Sequence, residues 1–187
     1  NADPAAALKG VWKEYSIIIS GENFYTSDEK TYTELSLYSS ATRCKLSLKK
    51  PSIVEYNPDV ADEVATIEPT NIITNGEFSQ YDGDASATAS NRFTGYTIDY
   101  KGTYAINHEQ VTDTVDGKET TAAKITYQRQ SANLAVTSYF KPKVDKTKNY
   151  RIGAWIKLTN ADVYDEETQK WVDGTTWNTD GSVALSV

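Results

Sequence analysis

Arg151, Trp155 and Lys157 alternate with Tyr150, Ile152, Ala154, Ile156 and Leu158 in one short segment of the chain. Successive side chains of a β-strand point to opposite faces. If Ile152 and Ile156 face a core, Trp155 faces outward between two cations. An indole offers a flat apolar face on which the axial C–H groups of a pyranose can pack. Neighbouring charged donors can then bond the hydroxyls. If both faces of this strand are buried, Trp155 is a core residue instead.

Other residues could extend such a surface. Gln128 follows the Ile125/Tyr127 alternation and should face outward, where a planar amide suits paired hydroxyls. Tyr96, Tyr100 and Tyr104 repeat every four residues and could line one strand face, or be ordinary interior tyrosines. Trp171 and Trp177 flank the Asp173-Gly174 turn, in a binding loop, in a contact to a neighbouring subunit, or folded over the domain edge. Trp12 reads as core, and Cys44, alternating with Leu46 and Leu48, as a small buried apolar residue.

Catalysis finds little support. The single histidine, His108, has no Gly-x-Ser-x-Gly elbow to serve and reads as a surface residue. A glycosidase needs two carboxylates held about 5–10 Å apart. The acidic groups here fall in loops and in residues 57–70, where solvation explains them. The chain is therefore expected not to be an enzyme.

Composition narrows the classes further. A net charge of −7 argues against a nucleic-acid binder, which needs a basic face. The pair Lys49-Lys50 and the lysines of 141–148 read as solvated basic spots. No apolar run approaches the about 20 residues of a membrane-spanning helix, so no membrane insertion is expected. One cysteine excludes an intramolecular disulfide. The chain opens on Asn1 without a visible signal peptide, as a mature form or a fragment would.

The elements that must position these residues are strands. Period-two patterns run over Val11–Ile19, Tyr32–Leu37, Cys44–Leu48, Ile53-Val54, Lys124–Gln128 and Tyr150–Leu158. Asp-Gly pairs at 82–83, 116–117, 173–174 and 180–181 supply hairpin turns, and Tyr164–Gly174 reads as an inserted hairpin. The only helical candidate, Asp59–Ala65, is short and acidic. Strands with such turns and no long helices predict an all-β sandwich or jelly roll. Residues 57–70 have linker composition. They separate 1–56 from 71–187, and 1–56 is too short to bury a core alone, so one domain is expected.

Two segments carry a family resemblance. Asn71-Ile-Ile-Thr-Asn-Gly-Glu-Phe78 resembles the opening of carbohydrate-binding modules of the xylan- and glucan-binding jelly-roll group, within the galactose-binding-like sandwiches. Phe140–Lys157 is similar to their later segment around a strand Trp. The family's last third is matched at the front, by Gly10–Ser16 and Lys45–Ile53. The order is thus inverted. Residues 1–56 resemble the C-terminal third of a jelly roll and 71–187 its first two thirds. This implies a circularly permuted domain, or one out-of-phase period of a tandem repeat.

The resemblance implies a non-catalytic carbohydrate-binding module of an extracellular microbial protein, at a cell or virion surface. Trp155, Trp177, Gln128, Arg151 and Tyr96 are then its expected site, and a polysaccharide or surface glycan its partner. The alternative is a structural unit of an adhesin, filament or phage fibre that contacts neighbouring copies of itself. The family's calcium carboxylates are replaced by Ser79 and Lys49-Lys50. No cofactor is therefore expected, with Asp82/Asp84 or Asp180 the remaining places for Ca²⁺.

Overall fold

The computed structural model describes residues 3–4, 10–24, 26–27, 30–31, 36–39, 44–58, 70–86, 89, 91–101, 105–115, 117–127, 133–138, 144–160, 162–165, 167, 170–173 and 182–186. These residues form strands β1 (Asp3–Pro4), β2 (Lys13–Ser20), β3 (Thr26–Ser27), β4 (Lys30–Thr31), β5 (Ser36–Ser39), β6 (Cys44–Tyr56) and β7 (Tyr96–Lys101). They continue with β8 (Ala105–Val115), β9 (Lys118–Tyr127), β10 (Asn133–Ser138), β11 (Asn149–Asn160), β12 (Asp162–Asp165), β13 (Lys170–Asp173) and β14 (Ser182–Ser186). A 3-10 turn at Gly21–Asn23 follows β2. The helical candidate Asp59–Ala65 lies outside the described residues.

The protein is all-β. One five-stranded antiparallel sheet runs β1-β14-β5-β10-β7, the other β2-β11-β6-β9-β8, and β3-β4 and β12-β13 are separate hairpins. The second sheet turns the alternating residues Leu46, Leu48, Ile53, Ile125, Ile152, Ile156 and Leu158 into a core shared with Tyr96 and Ile98 of the first. Phe24, Ile73, Phe78 and Phe93 close it from the connections. The β8–β9 hairpin sets Val115 opposite Lys118 and turns through Gly117 at φ 75, the positive value that the Asp-Gly pattern anticipates. The inserted hairpin also forms, with Tyr164 opposite Trp171.

The two strands expected at Cys44–Leu48 and Ile53-Val54 are one strand with a bulge. Gly153 lies opposite Ser52 while Trp155 lies opposite Lys49, so β6 spends an extra residue there. Lys50 adopts φ 48. Asn71 pins the bulge. Its Oδ1 accepts from the amides of Ile53 at 3.0 Å and Ile73 at 3.1 Å, and its Nδ2 donates to the Pro51 carbonyl at 3.0 Å. Asn75 ties Gln80 and Thr94 together in the same manner. The Asn71–Phe78 segment therefore organises backbone, and Phe78 is buried.

Gly21 packs where no side chain fits. A Cβ there would lie 2.1 Å from the Asp145 carbonyl oxygen and 2.9 Å from that of Lys148. Gly21→Ala is expected to cost about 3 kcal/mol, lowering Tm by roughly 6–12 °C in a calorimetric scan. A change within about 1 °C would mean that the 145–148 turn yields freely.

Candidate functional site

Residues directly opposite each other on neighbouring strands share a face. Three rows therefore cross the outer face of β2, β11 and β6: Ile18–Arg151–Val54, Ser16–Gly153–Ser52 and Glu14–Trp155–Lys49. Trp155 stands on this face and is half-buried, the outward orientation that the alternation requires. Gly153 and the two serines form a row of small residues between Arg151 and Trp155. Arg151 is exposed, with its guanidinium 5.1 Å from the Tyr56 ring centre.

A cation from another strand, β6, faces Trp155. The Lys49 ammonium lies 5.0 Å from the Trp155 ring centre and 4.5 Å from that of Trp12, and Lys49 is only 1% exposed. The Lys157 ammonium lies 4.9 Å from the Trp12 ring and pairs with Asp113. Trp12 Nε1 donates to Asp113 Oδ2 at 2.9 Å. In a flat sheet, the four strand spacings from β2 to β8 would span about 19 Å. The far end of the β8–β9 hairpin therefore folds across the outer face, which makes that face concave around Trp12 and Trp155. Burial pushes the Asp113 carboxyl up, but hydrogen bonds from Lys157, Trp12 and the Thr114 amide, with the Lys157 charge, outweigh it and hold it below the usual carboxylate range.

The expected site residues separate as follows. Trp155 and Arg151 share the outer face. Tyr96 is 4% exposed, in the core against Phe78, so it offers no ring to a ligand. Burial raises its hydroxyl pKa far above the usual range. Gln128, Trp177 and Tyr104 lie outside the described residues, as do the side chains of Tyr100, Trp171 and Cys44. Trp12 is not core but half-buried beside Lys49. Lys49 is not a solvated basic spot, because its alternation with Leu46 and Leu48 sets it on the outer face, where the two rings cover it.

His108 is not a surface residue either. It is fully buried, with Nδ1 3.0 Å from the Ala89 carbonyl. The Arg92 guanidinium donates to the His108 carbonyl, and to those of Asp82 and Gly83 at 3.1 Å each. Burial lowers the imidazole pKa, against the Ala89 contact that raises it and with help from the Arg92 charge. The fold thus favours the neutral ring. Below the ordinary value of about 6.5 the unfolded chain takes up a proton that the folded chain refuses. Stability is expected to be full above that pH and to fall between it and the lower folded value. A His108→Gln variant should lose this part of the slope in urea midpoints measured from pH 7.5 to pH 5. An identical slope in both proteins would assign the effect to carboxylates.

Among the described residues no three His, Cys, Asp or Glu side chains come together as a metal site, and no helix is long and apolar enough to cross a membrane. No family model, curated protein or solved structure matches the chain.

Proposed function

We propose that this chain is a non-catalytic carbohydrate-binding module of an extracellular microbial protein. Its partner is a polysaccharide or surface glycan on the outer face of the β2-β11-β6 strands. The observation that carries the reading is Trp155, a half-buried indole on a concave sheet face. Exposed Arg151, Glu14 and Ser16 supply polar groups beside it. The finer architecture we propose is a galactose-binding-like jelly roll in permuted order. The antiparallel pair β1 and β14 supports it, since Asp3 stands opposite Val183 and brings the two ends of the chain side by side. A variant with Val187 joined to Asn1 by a short glycine linker, and opened between residues 59 and 69, is expected to fold as a monomer with native near-UV circular dichroism. An unfolded or aggregated product would sink the permuted-domain reading.

The functional test is a titration with soluble xylan, β-glucan and other polysaccharides, followed by tryptophan fluorescence, with light scattering on the same sample. A saturable shift from a 20.7 kDa monomer is the expected result. The second reading is an assembly unit that contacts copies of itself. It is favoured by Ile18 and Val11, 52% and 55% exposed on and beside β2, which among the described residues is an edge strand whose backbone and apolar side chains invite another chain. Dimers or polymers, with no shift for any glycan, would decide for it.

A further inference from the structure

Three residues distant in sequence, Trp12, Lys49 and Trp155, meet on the outer face, with the lysine ammonium within 5.0 Å of both ring centres. We propose that Lys49 is the positioning residue of the stacking surface: its ammonium, shared by the Trp12 and Trp155 rings, fixes the orientation in which Trp155 is presented to a glycan. The binding half of this inference rests on the carbohydrate-binding reading, and the ring-ordering half stands without it.

Taking an ammonium out of water is expensive, and an apolar residue of similar length would suit a covered sheet face better. Here the chain places a lysine at 1% exposure under two indoles. Cations attract the faces of aromatic rings, and most strongly those of tryptophan. Lys49 reaches this face by alternating with buried Leu46 and Leu48, and the bulge after it, held by Asn71, returns Ile53 to the core. Trp12 is anchored in turn by its bond to Asp113, which Lys157 also grips. A line of support thus runs from Asp113 through Trp12 and Lys49 to Trp155. A ring held in place before binding loses less rotamer freedom when a sugar stacks on it, and that gain appears as affinity.

The test compares Lys49→Met and Lys49→Arg in the full chain. Methionine keeps much of the volume and removes the charge, whereas arginine keeps a cation that stacks on indoles. Lys49→Met is expected to unfold at the same or higher urea concentration, yet to lose the tryptophan bands of the near-UV circular dichroism. Its affinity for soluble xylan or β-glucan should fall about tenfold, and Lys49→Arg should restore both signals to within about twofold. Unchanged bands in Lys49→Met would overturn the proposal. So would equal losses of stability in both variants, which would mark Lys49 as a packing residue. If the unmodified chain binds neither glycan, the carbohydrate reading fails alone, and the bands still decide whether Lys49 orders the rings.

Discussion

Arg92→Met is expected to destabilise the fold by about 3–5 kcal/mol, because it removes the guanidinium that bonds three backbone carbonyls. Arg92 is buried. It donates through Nε to Asp82 and through its two terminal nitrogens to His108 and Gly83. Its guanidinium also lies 4.7 Å from the Tyr81 ring centre, and the Tyr81 hydroxyl donates to the same His108 carbonyl at 3.3 Å. These contacts hold the 79–95 connection against β8. Methionine preserves the aliphatic stem and the volume, so the loss reports hydrogen bonding and not a cavity. Lysine should rescue little, since a single ammonium cannot reproduce a planar fork that reaches three acceptors. Urea unfolding gives the magnitude. Hydrogen exchange gives the location, because the Asp82 and Thr94 amides, which bond Arg92 and Gln80 carbonyls, should lose protection first. A loss below about 1 kcal/mol would mean that water satisfies these carbonyls as well as arginine does.

His108 and Arg92 show what a sequence conceals. In Ile106-Asn-His-Glu109 the histidine sits among polar neighbours and reads as solvated. Yet its cross-strand partner is Ile125, a core residue that the alternation identifies. Carrying the face of Ile125 across the β8–β9 hairpin would have placed His108 inside. Strands such as β11 are readable because burial on one face imposes period two, and Ile152, Ala154, Ile156 and Leu158 are buried in turn. The bulge in β6 is not readable. Pro51 looks like a strand break, and the extra residue moves Ile53 out of phase with Leu48, which mimics two strands. The site is readable only in part. Trp155 and Lys49 declare their faces through their own strands, but the approach of Trp12 and Asp113 depends on the curl of the β8–β9 hairpin. That curl is a property of the assembled sheet, and no local pattern encodes it.

Trp155→Ala is expected to weaken binding of any polysaccharide that shifts the native fluorescence by about 100-fold, equivalent to about 3 kcal/mol. Stability should fall by only about 1–2 kcal/mol, because the ring is half-buried and its core-side neighbours Ala154 and Ile156 stay packed. A core tryptophan would behave otherwise, costing about 3–5 kcal/mol of stability when truncated. The ratio of the two effects therefore separates a ligand platform from an interior residue. Trp12→Ala should differ. It removes one partner of Asp113 and one of the two rings over Lys49, so stability and affinity should fall together. Arg151→Ala should leave stability unchanged and weaken binding by roughly fivefold, as loss of one exposed hydrogen-bonding group would. Calorimetric titration on each variant, paired with urea unfolding, measures both quantities. Undiminished affinity in Trp155→Ala would place the glycan elsewhere. Affinity lost only in step with folding would return Trp155 to the packing of the sheet.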